Sequence, residues 1–244
     1  MKKLIKTAIG LIYFHLLKKE KPRVGNRILI YHAFGSRLAH DTYGISISLR
    51  RFEEHLRFIQ TRWKIIPIRP ETYFDSLLEF GVSISIDDGY ADTMLAADLM
   101  ATLKIPFQVG IVSDFIGTKD YLTPKQVQML SGNPFCTIGS HGKTHKKIGY
   151  LPPADQREEI FASKMALEDL LGKSVEVMSY PHGIFSSQTQ ELAREAGYKI
   201  VLSSINGINT QKNLNPFALR RTEVVSSDAV GNLRRKVLGY CDFR

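Results

Sequence analysis

The sequence predicts an α/β protein whose parallel sheet, with helices outside it, rolls into a closed or nearly closed barrel. Three observations carry this expectation. From residue 27 onward short apolar runs alternate with helix-like stretches, and regular β-α alternation implies a parallel sheet covered by helices. About seven of the runs have strand character, which favours closure over an open sheet. The chain has 244 residues, 43% of them hydrophobic, enough for a substantial core, and no internal repeat or low-complexity segment interrupts it.

The elements are expected in this order. Residues 27–31 (Arg-Ile-Leu-Ile-Tyr) form a buried strand, and residues 49–61 a helix with Phe52, Leu56 and Ile59 at helical spacing. A second strand spans 64–68, and Pro70 opens a helix toward Leu78. A strand at 82–87, a helix at 93–103 and a strand at 106–112 follow. Thr123-Pro124 begins a helix as an N-cap and a first-turn proline should. Residues 135–139 are a strand, and the longest helix, 153–171, is closed by Gly172. A strand at 174–179, a helix at 187–196 ended by Gly197, a strand at 198–203 and a final helix at 226–238 complete the chain.

The net charge is +9 and the isoelectric point about 9.5. The surplus does not form a basic stripe with interleaved aromatics, so no nucleic-acid partner is expected. Part of it lies in Lys2, Lys3, Lys6, Lys18, Lys19, Lys21 and Arg23, on either side of the apolar residues 7–17. That apolar run is too short to span a bilayer, which needs about 20 residues. No small-residue cleavage site follows it, as a signal peptide would require. Residues 1–24 are therefore read as a helix lying at an anionic membrane surface, against the alternative of a helix packed on the main domain, residues 25–244. Cys136 and Cys241 form no CxxC and no disulfide framework, and both are read as reduced and buried.

Three short blocks carry the chemistry. Asp87-Asp88-Gly89 closes the apolar run ending at Ile86, His141-Gly142-Lys143-Thr144-His145 follows another strand, and Ser179-Tyr180-Pro181-His182-Gly183 a third. Each alone has a plain structural reading: a turn, a pair of loop histidines, a tight turn. Jointly, one carboxylate and two imidazoles can hold a divalent metal with an open position, while the neighbouring carboxylate stays free as a base. That combination suits hydrolysis of an ester or amide. A glycosidase is disfavoured, because its two carboxylates should flank the scissile bond about 5–10 Å apart and these are sequence neighbours.

At these residues the chain resembles the polysaccharide deacetylase family, the NodB-homology domain of metal-dependent carbohydrate esterases. The family's Thr-Phe-Asp-Asp-Gly is similar to residues 85–89, its His-Ser/Thr-x-x-His to residues 141–145, and its Arg-x-Pro-Tyr or Tyr-Pro-Tyr-Gly to residues 180–183. The resemblance covers about residues 27–225, with Ile138-Gly139-Ser140, Leu151 and Glu195-Ala196-Gly197-Tyr198 also fitting. It implies a distorted (β/α)7 barrel. It implies Asp87 as catalytic base, with Asp88, His141 and His145 as ligands of one divalent metal, usually zinc. Tyr180, Pro181 and His182 would bind substrate and oxyanion, the last through its backbone N–H.

Three departures matter. The family's late Leu-x-x-His acid is missing, since no histidine follows His182. A second group, acting on exported poly-N-acetylglucosamine, takes its acid from a Tyr-His on the first strand, and Ile30-Tyr31-His32 stands there. His32 is therefore the expected acid and His182 the second choice. Ser179 replaces the arginine that orients the base, so Arg220 or Arg221, with Arg221 preferred, is expected to contact Asp87. His182 replaces a tyrosine and alters the pocket wall. The resulting expectation is an enzyme, a metal-dependent N-deacetylase of an N-acetylhexosamine-containing polysaccharide or lipid-linked glycan. The alternatives are a glycan-binding pseudoenzyme of the same fold and a small-molecule amidohydrolase. The family points to bacterial envelope-polysaccharide metabolism, peripheral to the inner membrane or cytoplasmic rather than secreted. The sequence sets no oligomeric state.

Overall fold

The computed structural model describes residues 9, 12, 24–38, 41–240 and 242. Of the expected N-terminal segment only Ile9, Ile12 and Val24 fall within that set, all exposed. Its lysines lie outside the described residues, as does Cys241. Among the described residues no helix is long and apolar enough to cross a membrane.

Eight parallel strands form the sheet: β1 (Gly25–Tyr31), β2 (Lys64–Ile65), β3 (Phe80–Ile86), β4 (Phe107–Ile111), β5 (Cys136–Ser140), β6 (Val177–Ser179), β7 (Ile200–Leu202) and β8 (Arg221–Glu223). Seven run in the order β7-β6-β5-β4-β3-β1-β8, with β2 paired to β3 off that path. The ring is nearly closed, because the residues leading into β8 return to β7. Leu219 bridges Leu202 in parallel, its N–H donates to Val201 O at 2.9 Å, and Ser203 N donates to Leu219 O at 2.8 Å. The ring is thus the seven-stranded, nearly closed barrel that the β-α alternation predicts.

Among the described residues six helices cover it: α1 (Leu49–Gln60), α2 (Thr93–Thr102), α3 (Pro124–Gly132), α4 (Pro153–Leu171), α5 (Ser187–Glu195) and α6 (Val230–Leu238). Local chemistry fixes their ends. Ser48 caps α1, while Thr123 and Gln126 form a capping box on α3 with Pro124 in its first turn. Gly172 ends α4 in the left-handed conformation at φ 64°. Phe52, Leu56 and Ile59 of α1 pack with Leu29, Tyr31, Val82 and Ile84 in the outer core, between sheet and helices. A smaller apolar cluster of Ile28, Val177, Ile200, Leu202 and Leu219 draws on β1, β6, β7 and the residues leading into β8.

Four points of the expected element order need correction. Residues 64–68 form only a two-residue strand, because Pro67 has no N–H for a ladder; Ile66 still donates to Val82 O at 2.9 Å. Pro70 opens no helix: turns lead to one 3-10 turn, Asp75–Leu78. The final helix begins at Val230 rather than 226, and β8 was not anticipated.

Parallel pairing brings the C-terminal strand ends to one face. The register sets Tyr31 beside Ile86, Ile111 beside Ser140 and Ser179 beside Leu202. His32, Asp87 and His141 therefore each leave a strand at the same end of the barrel.

Candidate active site

Alternation along β3 turns Ser83, Ser85 and Asp87 to one side. Ser83 Oγ meets Asn26, and Ser85 Oγ lies 3.2 Å from Arg221 Nη1. Asp87 continues that line and is buried, 3% exposed. The chain then turns sharply: Asp88 and Gly89 take φ of 76° and 75°. This swings the Asp88 carboxylate toward the two histidines. Left-handed backbone at a non-glycine residue costs energy and gathers at working sites. Among the described residues five non-glycines have positive φ, and three of them, Asp88, His145 and His182, lie here.

Asp88 Oδ1 lies 3.3 Å from His141 Nε2 and 3.2 Å from His145 Nε2. One ligand atom from each of the three residues can be chosen so that all lie within 4.8 Å of one another. His141 Nδ1 faces the Ser179 carbonyl at 3.0 Å, an acceptor only, so Nδ1 carries the proton of the neutral ring. Its Nε2 lone pair then faces a carboxylate oxygen, acceptor against acceptor. Only a cation between them relieves that contact. A tetrahedral zinc with bonds of about 2.0–2.2 Å wants its ligand atoms about 3.3 Å apart. The spacing and the carboxylate-imidazole donor set fit one borderline divalent metal ion. Where no metal sits there, a proton takes its place, and the two carboxylates raise the pKa of His141 against the opposing pull of its burial.

Asp87 is kept out of that cluster, with His141 Nε2 4.0 Å from its Oδ2. Arg221 holds it through two parallel bonds, Nη1 to Oδ1 at 2.9 Å and Nη2 to Oδ2 at 2.7 Å. The guanidinium is itself fixed, its Nε donating to Ser203 O at 2.8 Å. Arg220 points elsewhere, to Asn206 O at 3.2 Å. Ser179 stands between Asp87 and His141: its hydroxyl donates to Asp87 Oδ1 at 3.1 Å and lies 2.6 Å from His141 Nδ1. Gly110 makes room for this, since a Cβ there would come 2.6 Å from Ser179 Oγ and 3.1 Å from Asp87 Oδ1. Burial alone would raise the pKa of Asp87, but Arg221 and His141 outweigh it and bring it down to about 2. Asp88 is likewise held well below the usual carboxylate range, burial being overcome by His141 and His145.

These groups line one cavity of about 660 Å³, shared with His32, Tyr180 and His182. His32 Nδ1 is buried and has no hydrogen-bond partner among the described residues. His182 is differently engaged. Its Nε2 lies 3.2 Å from the His145 carbonyl, its ring centroid is 4.6 Å from that of His145, and burial together with His145 lowers its pKa. Among the described residues no backbone carbonyl takes the His182 N–H. Tyr180 forms wall rather than ligand: it is fully buried, stacks on Phe185 at 4.9 Å and donates its hydroxyl to Phe217 O at 3.1 Å. Pro181, also buried, starts the turn that sets His182 at φ 57°.

One supporting residue was not foreseen. Glu159, buried on α4, accepts from the N–H groups of Lys143 and Thr144 at 2.9 and 2.8 Å and from the Thr144 hydroxyl. It clamps the loop between the two histidines. Its signal in the sequence was a carboxylate on the inward helical stripe that includes Gln156, Ile160, Ser163 and Leu167.

The barrel, the strand-end carboxylates and the paired histidines define a class, and sequence comparison agrees with it. Residues 78–201, just over half of the chain, match the sequence model of the polysaccharide deacetylase family, and the chain belongs to that family. It is 24% identical over 214 residues to YxkH of Bacillus subtilis (strain 168), named as a polysaccharide deacetylase, across 85% of this chain and 74% of that one. Two solved structures share its fold. The Streptococcus pyogenes deacetylase PplD, in complex with acetate, superposes with a TM-score of 0.77 at 20% identity, covering 88% of this chain and 99% of PplD. IcaB from Ammonifex degensii gives 0.76 at 19% identity, covering 89% and 97%.

Proposed function

We propose that this chain is a metal-dependent hydrolase that removes N-acetyl groups from an N-acetylhexosamine-containing polysaccharide or lipid-linked glycan. One observation carries the reading. Of two adjacent carboxylates, Asp88 is gathered with two imidazoles, while Asp87 is held apart and kept ionised by Arg221. A divalent ion held by Asp88, His141 and His145, zinc by the character of the donors, would supply Lewis acidity toward water and the acetamide carbonyl. Asp87 takes the proton of the attacking water as the new C–O bond forms. The free His182 N–H donates to the oxygen that gains negative charge. His32 gives a proton to the amine nitrogen as the C–N bond breaks, so that acetate and the free amine leave. The assignment to His32 over His182 rests on the lowered pKa of His182, where burial and the His145 ring outweigh the carbonyl contact and favour the neutral ring.

The test is acetate release from an N-acetylglucosamine oligomer with and without chelator. Release that stops on chelation and returns with zinc is expected. Release indifferent to chelation would contradict the metal. A zinc-loaded protein that binds acetylated glycans and releases no acetate from any of them would be a binder and not an enzyme.

A further inference from the structure

Tyr43 is the most exposed large hydrophobic side chain among the described residues, at 81%, and the one of that exposed group that lines the active-site cavity. A lone exposed tyrosine requires no explanation. Its backbone does. The Asp41 carboxylate accepts four consecutive N–H groups: Oδ1 takes Tyr43 at 3.0 Å, Gly44 at 2.5 Å and Ile45 at 3.0 Å, and Oδ2 takes Ser46 at 3.1 Å. Those bonds hold the carboxyl of Asp41 below its usual range in spite of the opposing effect of burial. The far side of the hook is pinned as well. Gly44, at φ 77°, accepts from Ser226 N at 2.6 Å, and a Cβ on it would come 2.4 Å from Ser226 Oγ. The loop then returns to the end of β1, where Ile47 N donates to Ala33 O at 2.9 Å, next in the chain to His32.

A rigid hook thus holds a solvated aromatic ring at the cavity and ties it to the strand end that carries the expected acid. Holding a large side chain in water on an ordered backbone gains nothing for the fold. It does prepare a binding surface, because the ordering is complete before a ligand arrives. A phenol offers a flat apolar face and a polar tip. A pyranose ring offers the match, a face of C–H bonds with hydroxyls around its edge.

We propose that Tyr43 is a substrate-binding platform on which a sugar ring of the glycan stacks, so that this site takes a chain of sugars rather than an isolated acetamide. The proposal deepens the deacetylase reading and rests on it for the identity of the substrate.

The experiment compares wild type with Tyr43→Ala, Tyr43→Phe and Tyr43→Trp on an N-acetylglucosamine tetramer and on a small aryl acetate, with calorimetric titration of the tetramer in parallel. Tyr43→Ala is expected to raise the KM and Kd for the tetramer about five- to twentyfold, with kcat and aryl acetate hydrolysis little changed. Phe and Trp should restore tetramer binding to near wild type. Unchanged tetramer binding in Tyr43→Ala, or equal losses on tetramer and aryl acetate, would overturn the platform. Should wild type bind the tetramer without releasing acetate, while Tyr43→Ala loses that binding, the platform would stand and the deacetylase reading would fall.

Discussion

Asp87→Asn is expected to keep its metal and to lose about 10²–10⁴-fold in kcat, the usual worth of a positioned general base. The change is nearly isosteric and spares Asp88, His141 and His145, which gather around a different carboxylate. An amide cannot accept the proton that a carboxylate takes from water. The change also leaves the Arg221 guanidinium, 1% exposed, without its counter-charge. Breaking a buried pair on one side costs about 3–5 kcal/mol. A lower Tm is therefore part of the expectation, and kinetics belong well below it, with circular dichroism and bound zinc measured on the same sample. A folded, zinc-bound Asp87→Asn protein with wild-type kcat would remove Asp87 as the base.

Arg221→Met should have the second largest effect, and it acts through Asp87 rather than on substrate. The two-pronged contact is lost and Asp87 remains buried without its main cationic partner. The sign follows from its lowered pKa. In the native protein Asp87 stays ionised down to about pH 2, and the stability this adds is present above the ordinary carboxylate value of 3.8 and fades as pH falls toward 2. Without Arg221 the Asp87 pKa rises, so the acid limb of kcat/KM moves to higher pH. Destabilisation of about 3–5 kcal/mol at neutral pH should shrink on acidification, when protonation relieves the orphaned carboxylate. Arg221→Lys should recover only part, because an ammonium cannot reproduce two parallel bonds. In combination with Asp87→Asn the two losses should be far from additive, since each alone strands the other's charge. An unmoved acid limb in a folded Arg221→Met protein would show that Arg221 has no part in setting the base.

How much was legible in the sequence depended on what kind of signal each element carries. Helix α4 could be placed residue for residue, because Pro153 and Gly172 mark its ends chemically. The strand ends that carry the candidate site were readable for a similar reason: apolar runs stop at charged residues that no core would otherwise take. Strand β8 left no such trace. It is three residues long, Arg-Thr-Glu, and its first member is buried through an ion pair rather than through apolar surface. Arg221 could be suspected only from the arginine missing at Ser179. That Ser179 itself links Asp87 to His141 depends on a glycine two strands away in the ring, Gly110, which sequence spacing does not connect to it. Glu159 and Asp41 serve by accepting backbone N–H groups of loops, a role written in three-dimensional proximity and not in residue type.

Anomalous diffraction at the zinc edge, from crystals grown with zinc, tests the division of labour between the two aspartates most directly. The expected map shows one ion bound by Asp88, His141 and His145, with the Asp87 carboxylate off the metal and still seated on Arg221. Zinc ligated by Asp87, or an ion held elsewhere with Asp88 unbound, would contradict it.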